Sequence, residues 1–464
     1  MEKNEEFEVT ITDMTEEGLG VGKTFDTRSS SDAGFPWFVK DAVIGDRVIA
    51  AATKVKKSYG FARLVRVLTP SPSRVPARCP IARACGGCQL EELSYEAQLK
   101  FKADKVLSCL TRIGGFSPES FVFEPVIGME NPWRYRNKAQ YPVSLSRDGE
   151  IVAGFYAGHT HSVIPCSDCL IGSERNRAVL DTVLAFLRKC HIRPYDEETG
   201  KGVVRHVLLR ESRSTGEMLV CLVINADRLK ESDVLISMLR EACPTVSTVS
   251  VCINKEATNV ILGDTVHTLY GPGFITDTIG DVTFSISPQS FFQVNPIQVE
   301  KLYAKALSYA GLTGRETVWD LYCGVGTISL FLARHAKKVL GVEIVPKAIE
   351  NAKENAKMNG IENVYFEAGS AEEVTPRWLT GEELSHPDVI CVDPPRKGCD
   401  PVCIDTILKA APDRVVYVSC DPATLARDCK LLEEGGYRLE KACPVDLFPQ
   451  TIHVETVVLM SRGR

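Results

Sequence analysis

Nowhere in the 464 residues do apolar side chains approach a run of 18, so no stretch reads as a membrane-spanning helix. The start, Met1-Glu2-Lys3-Asn4-Glu5-Glu6, is acidic where a secretory signal carries positive charge, and the expected location is the cytoplasm. Internal repeats and long low-complexity tracts are lacking as well, which excludes solenoids and fibrous arrays. An even cysteine count is also absent. Seventeen cysteines scattered along the chain argue for thiols, metal ligands or a nucleophile rather than a disulfide scaffold. Strong positive charge is missing overall: the formal net charge is −6, so contact with phosphate has to come from a local patch. What remains, 44% hydrophobic and 25% charged residues, is the composition of an ordinary globular protein of two to four domains.

One such patch lies near the start. Residues 7 to 69 alternate β-type runs (Phe7 to Ile11, Arg47 to Ala50, Phe61 to Leu68) with turn clusters such as Gly18-Leu19-Gly20-Val21-Gly22, the pattern of a small β-barrel. From Lys54 to Arg78 the only charges are Lys54, Lys56, Lys57, Arg63, Arg66, Arg74 and Arg78, with Tyr59 and Phe61 among them, which has the look of a nucleic-acid footprint. Pro70-Ser71-Pro72-Ser73 reads as a linker. After it comes Cys79-Pro80-Ile81-Ala82-Arg83-Ala84-Cys85-Gly86-Gly87-Cys88, three thiols spaced as a ligand set, with Cys166 or Cys169 available as a fourth. All-thiolate coordination suits an iron–sulfur cluster ahead of structural zinc. At 131 to 142, Arg134, Arg136 and Lys138 stand among Trp133, Tyr135 and Tyr141. On a strand the three cations share one face, able to meet phosphate or a splayed base.

The C-terminal part is organised around Val318-Trp319-Asp320-Leu321-Tyr322-Cys323-Gly324-Val325-Gly326-Thr327, read as strand, tight loop and helix. The glycines allow close backbone approach to a ligand, and the helix start beyond offers unpaired N–H groups. A dinucleotide fingerprint needs a third glycine where Ser329 stands, and acid-x-x-x-Gly-x-Gly instead resembles the S-adenosylmethionine loop of Rossmann-like methyltransferases. A second strand ends at Glu343, placed to bond ribose hydroxyls. Further βα units follow, with strands Asn363 to Glu367, Asp388 to Asp393 and Arg414 to Ser419, so a doubly wound parallel sheet is expected. Ligands of such sheets sit at the strands' carboxyl ends, which predicts that Asp320, Glu343, Asp393 and Cys420 converge. Cys420 opens a loop-to-helix junction where helix N–H groups favour a thiolate. Upstream, Gln293 and Asn295 fall on one side of an extended segment and present amides suited to a uracil edge or a cofactor.

With the three cysteines, Ser290 to Asn295, Asp320 to Gly326, Asp393 to Arg396, Ser419-Cys420-Asp421-Pro422 and His453-Val454-Glu455-Thr456 in one order, the whole chain resembles the RNA uracil-5-methyltransferase family. Its start resembles the TRAM domain, and with the cysteines it is more similar to the branch acting on large-subunit (23S) ribosomal RNA than to the transfer-RNA branch. The resemblance implies an α/β chain: a TRAM-like barrel over 1–70, a central α+β domain with the cluster cysteines over 71–285, and a Rossmann-like class I methyltransferase domain over 286–464. It implies Cys79, Cys85, Cys88 and a fourth cysteine on a 4Fe-4S cluster, Cys169 fitting the pattern better than Cys166. It further implies S-adenosyl-L-methionine at Gln293, Asp320, Tyr322, Gly324, Gly326, Glu343 and Asp393, Cys420 as nucleophile and Glu455 as general base. The implied partner is RNA with a flipped or unpaired uridine, bound by a monomer away from membranes. The chemistry agrees: uracil C5 is a poor nucleophile until a thiolate adds at C6, and a base must then remove the C5 proton. Asp393-Pro394-Pro395 is also similar to the acid-Pro-Pro-aromatic motif of amino-nitrogen methyltransferases, but Arg396 stands in the aromatic place and Cys420 is then left without a role.

Overall fold

Strict alternation of buried and exposed residues over the first seven positions of Glu6–Met14 places Phe7, Val9 and Ile11 on one face of a strand, and that face becomes the inside of a barrel. The computed structural model describes residues 2–25, 34–158, 160–380 and 386–463. They divide into two units, one running to Lys105 and including Phe448–His453, the other holding Val106–Leu447 and the chain from Val454.

In the first unit β1 (Glu6–Met14), β2 (Gly20–Thr24), β3 (Phe35–Lys40), β4 (Arg47–Val55) and β5 (Gly60–Thr69) close into a barrel in the order β1-β2-β3-β5-β4. Trp37, Val39, Val48 and Ala50 fill it against the β1 side chains. The stretch expected as a linker is tied down. Buried Asp46 accepts from the N–H groups of Val43 (2.9 Å) and Ser71 (2.8 Å) and pairs with Arg74 at 2.8 Å. A single turn, α1 (Ala82–Cys85), follows, and then α2 (Tyr95–Arg112).

The second unit holds two large sheets and a two-stranded hairpin. After the short β6 (Val122–Phe123) come β7 (Lys138–Leu145), β8 (Ile151–Tyr156), β9 (Val163–Pro165), β10 (Val204–Glu211), β11 (Met218–Ile224), β12 (Val246–Ile253) and β13 (Thr265–Tyr270). The last seven pair in the order β13-β12-β11-β10-β7-β8-β9. Amphipathic α3 (Arg175–Lys189) and α4 (Ser232–Ala242) bury Val179, Val183, Leu187, Leu235 and Leu239 against Val207, Leu209, Val220 and Leu222, a core confined to one face of the sheet. Arg134 does not share a strand face with Arg136 and Lys138, because β7 begins only at Lys138. Arg134 adopts φ +55°, and its guanidinium is held by Asp168 and by the Cys169 carbonyl oxygen at 2.9 Å.

A hairpin of β14 (Ile275–Ile279) and β15 (Val282–Ile286) leads into α5 (Pro296–Ala310). Then β16 (Thr317–Leu321), α6 (Thr327–Ala333), β17 (Lys338–Glu343), α7 (Pro346–Met358), β18 (Val364–Ala368), α8 (Ala371–Thr380), β19 (Val389–Val392), α9 (Pro401–Ala410), β20 (Arg414–Ser419), α10 (Pro422–Glu434), β21 (Tyr437–Val445) and β22 (Glu455–Arg462) complete the chain. The sheet order is β18-β17-β16-β19-β20-β22-β21-β6, and the first five strands are parallel. Central strands such as Thr317–Leu321 and Val389–Val392 are buried throughout, as apolar strands covered by helices on both faces must be. Strand order reverses between β16 and β19, which opens a crevice at their carboxyl ends. β22 runs antiparallel and inserts between β20 and β21, bringing the chain's last segment back to that crevice.

Candidate active site

The loop after β16 is held open by backbone conformation. Tyr322, Gly324 and Gly326 have φ of +69°, +55° and +81°, and the left-handed conformation costs a side-chain-bearing residue such as Tyr322 about 1–2 kcal/mol. A Cβ on Gly324 meets nothing within 4 Å, whereas one on Gly326 lies 2.8 Å from Phe366 Cζ. Gly326 is therefore demanded by packing, and Gly324 leaves open space above the loop. Glu343 ties the loop to β17: one carboxylate oxygen accepts from Gly324 N at 3.2 Å, the other from Val345 N at 3.0 Å. A carboxylate has about four acceptor positions, so two remain for ligand hydroxyls.

Three carboxyls gather here with little positive charge to answer them. Asp320 is fully buried; Ser329 Oγ donates to one of its oxygens and the other has no partner. Burial, with Asp393 nearby, pushes its carboxyl up to about 7. Burial likewise raises Asp393 to about 7, and burial with the Asp393 charge raises Glu455 to about 8. The exposed Arg396 pulls Glu455 the other way. Buried Tyr303 lies beneath, its hydroxyl 3.0 Å from Thr327 Oγ1 at the start of α6. Carboxyls gathered with so little positive charge favour a cationic ligand, whose charge would restore their ionised forms.

Strand register brings the last two expected groups together. Ser419 of β20 lies opposite Thr456 of antiparallel β22, so the next step of the ladder brings Cys420, just after β20, to Glu455, the first residue of β22, beside the crevice. Cys420 is half-buried, and burial first, then Glu455 and Asp393, push its thiol up to about 11, against a smaller lowering by Arg396. The expected activation by α10 is not what the structure shows, because Asp421 caps that helix. Its Oδ1 accepts from Ala423 N (3.0 Å) and Thr424 N (3.1 Å), taking the N–H groups that would have faced the sulfur.

Of the two expected amides, Gln293 is half-buried with its side chain making no hydrogen bond among the described residues, while Asn295 is turned inward. Asn295 caps α5 by accepting from Gln298 N at 3.2 Å and donates to the Leu447 carbonyl oxygen at 2.9 Å and to the Met129 sulfur at 3.1 Å, and being fully buried it is not presented to a ligand. Two apolar side chains escaped the sequence reading. Phe291 is 69% exposed beside Gln293, and Ile344 is 67% exposed after Glu343. Residue type alone would place such side chains in a core, and only the fold shows them exposed next to Gln293 and Glu343. Cys79, Cys85 and Cys88 lie in the first unit, Cys166 and Cys169 in the second, all half-buried where ten of the seventeen cysteines are buried. Among the described residues no group of three or more His, Cys, Asp or Glu is spaced to hold a metal ion.

The profile of the tRNA (Uracil-5-)-methyltransferase family matches residues 279–463, and that of the TRAM domain residues 2–65. A Halalkalibacterium halodurans protein named as an uncharacterized RNA methyltransferase is 48% identical over 458 residues, 99% of this chain and 97% of that protein. A Bacillus cereus protein of the same description is 47% identical over 462 residues, covering 100% and 98%. The crystal structure of Pyrococcus abyssi tRNA (uracil-54, C5)-methyltransferase in complex with S-adenosyl-L-homocysteine matches with a TM-score of 0.77 at 26% identity, over 98% of this chain and 100% of that one.

Proposed function

Because the chain belongs to the RNA uracil-5-methyltransferase family, and is an RNA (uracil-5-)-methyltransferase using S-adenosyl-L-methionine, we propose that it methylates uridine C5 in 23S ribosomal RNA through a covalent bond from Cys420 to C6. The observation that supports the covalent route best is the β20–β22 register, which pairs a thiol with a carboxyl at the mouth of the crevice.

The crevice fits the cofactor: Gly324 leaves room, Asp320 keeps an unpartnered oxygen, and Glu343 retains acceptor positions. Gln293, Asp320, Tyr322, Gly324, Gly326, Glu343 and Asp393 hold it in this reading. When bound, S-adenosyl-L-methionine would supply the methyl group on a sulfonium, and a positive charge held among Asp320, Asp393 and Glu455 would offset the acids that raise the Cys420 thiol's pKa. The Cys420 thiolate adds to C6, and the electrons of the C5=C6 bond move to make C5 nucleophilic. C5 takes the methyl group. Glu455 then removes the C5 proton, the C5=C6 bond re-forms, and the thiolate leaves. Phe291 offers a ring for a neighbouring base to stack on while the uridine is flipped.

Lys54, Lys56 and Lys57, all exposed on the barrel, serve as phosphate contacts. For Cys79, Cys85, Cys88 and Cys169 we keep the 4Fe-4S assignment, supported by thiol spacing and shared half-burial rather than by an assembled ligand set. A cytoplasmic monomer completes the reading; no described helix is long and apolar enough to cross a membrane. Transfer RNA is the second reading, favoured by the likeness to the Pyrococcus abyssi enzyme. Incubation with unmodified 23S ribosomal RNA and transfer RNA plus labelled methyl donor, followed by mapping of 5-methyluridine, decides between them. Label in transfer RNA alone reassigns the substrate, and methylated amino nitrogens in place of 5-methyluridine refute the chemistry.

A further inference from the structure

Behind the Ser290–Val294 segment the central sheet holds three cations, Arg136, Lys138 and Arg210, that pair with no carboxylate among the described residues. β7 and β10 are antiparallel with Lys138 directly opposite Arg210, so both side chains leave the same face, away from the core built on Val207 and Leu209. Arg136, two residues before Lys138, adds its charge to the same spot. Arg210 is only 2% exposed; its guanidinium donates to the Ser290 carbonyl oxygen, and its Nε has no partner. Lys138 is half-buried and makes no hydrogen bond or ion pair among the described residues. The nearest acid in sequence, Glu211, points to the other face and is engaged by Arg175 at 3.0 Å. Burial together with Arg210 and Arg136 lowers the Lys138 ammonium to about 8. Desolvated like charges facing each other across a ladder are unfavourable unless an anion joins them.

The position suggests which anion. Asn137, between Arg136 and Lys138, donates from Nδ2 to the Gln293 carbonyl oxygen at 3.1 Å and from its backbone N–H to the Val294 carbonyl oxygen at 2.9 Å. The cations thus back the segment that carries Phe291 and Gln293. A cofactor's amino-acid carboxylate carries an ammonium one carbon away, which three cations repel. A phosphodiester brings negative charge with no cation attached, and forked guanidinium donors match its oxygens.

We propose that Lys138, with Arg136 and Arg210 behind it, forms a subsite for one phosphodiester of the RNA strand adjoining the target uridine. The assignment rests on the uridine-methylation reading above. The test uses the full-length protein and an RNA oligonucleotide containing the mapped uridine, with single uncharged methylphosphonate linkages placed in turn on either side of it. Lys138→Gln should weaken binding roughly fivefold to tenfold and lower the slope of log affinity against log salt by roughly 0.7, while Lys138→Arg keeps both. One methylphosphonate position should weaken the wild type by a similar factor and cost Lys138→Gln nothing further. Cofactor affinity, measured by calorimetry, should not change. Arg136→Gln should show the same linkage-specific pairing, so the test does not depend on one variant folding. An unchanged salt slope, independent losses at every linkage, or a loss of cofactor affinity in place of RNA affinity overturns the subsite. Methylation of the same oligonucleotide by the wild type is read in parallel, and binding without 5-methyluridine refutes the uridine reading separately.

Discussion

Replacing Glu455 by Gln should turn the enzyme into one that captures its RNA and does not release it. Glu455 is 5% exposed, and burial with the nearby Asp393 charge pushes its carboxyl up to about 8, so near neutral pH the cofactor-free site holds mostly the protonated acid. Gln matches that acid in size and charge, and the site keeps its shape. Cys420 still adds to C6 and C5 still takes the methyl group, but nothing removes the C5 proton, and elimination of the thiolate stalls. A positioned general base contributes roughly 10²- to 10⁴-fold, so turnover should fall by at least about 100-fold while a methylated, denaturation-resistant protein–RNA species accumulates one to one. Cys420→Ala, alone or with Glu455→Gln, should form none. The same substitution carries a stability signature. The folded-state carboxyl titrates near 8 against an ordinary 4.5, so between those values the folded chain binds more protons than the unfolded one and stability falls as pH rises. At about 1.36 kcal/mol per pH unit the gap sets an upper bound on the order of 5 kcal/mol, a loss that Gln removes. Denaturing gels with labelled methyl donor read the adduct, and melting curves from pH 5 to 9 read the linkage. Normal turnover by Glu455→Gln, an adduct in the double variant, or parallel pH-dependent melting of wild type and variant refutes the assignment.

Two further outcomes test other parts of the reading. Protein purified without oxygen should be brown and hold about four iron atoms per chain, with Cys169→Ser losing the colour and Cys166→Ser keeping it. Stoichiometric zinc without iron rejects the cluster, and the reverse pattern reassigns the ligand. Gly324→Ala and Gly326→Ala should separate, since the first adds a Cβ in open space and the second drives one against Phe366. Both put an alanine in the left-handed region, at about 1–2 kcal/mol each, and Gly326→Ala should lose roughly a further 1–3 kcal/mol from overpacking, while Gly324→Ala stops at the backbone cost and loses cofactor affinity. Equal melting shifts in the two variants contradict this division.

Much of the C-terminal fold was legible because each of its signals is local. Strands such as Val389–Val392 are apolar throughout, helices open on Pro346, Pro401 and Pro422, and the alternation leaves little choice but a parallel sheet. The gathering of Asp320, Glu343 and Asp393 follows from that topology, since each lies within one residue of a strand's carboxyl end and parallel strands end on one side. The barrel was legible for a similar reason, as period-two burial in Glu6–Met14 needs only near neighbours to be read. The strand face expected for Arg134 and the outward amide expected for Asn295 failed where a partner distant in sequence took over, and the helix activation expected for Cys420 failed to a neighbour. Asp168 draws Arg134 out of the strand, and Leu447 draws Asn295 into the interior. Asp421 is adjacent to Cys420, yet only the built helix start reveals that the cap takes the N–H groups.

The sequence alone determined the glycine loop after β16 and the order of the βα units, and it singled out the thiol and the carboxyl proposed for catalysis, because residue type and short spacing carry them. Tertiary structure decided what those groups experience. Glu455 meets Cys420 only because β22 threads back between β20 and β21 in one register, and a slip of one residue would turn its carboxyl to the opposite face. The raised thiol, the three under-answered carboxyls and the unanswered cations at Lys138 likewise arise from burial and from neighbours far along the chain. Burial and distant neighbours are summed over the whole fold, and no local stretch of sequence contains that sum.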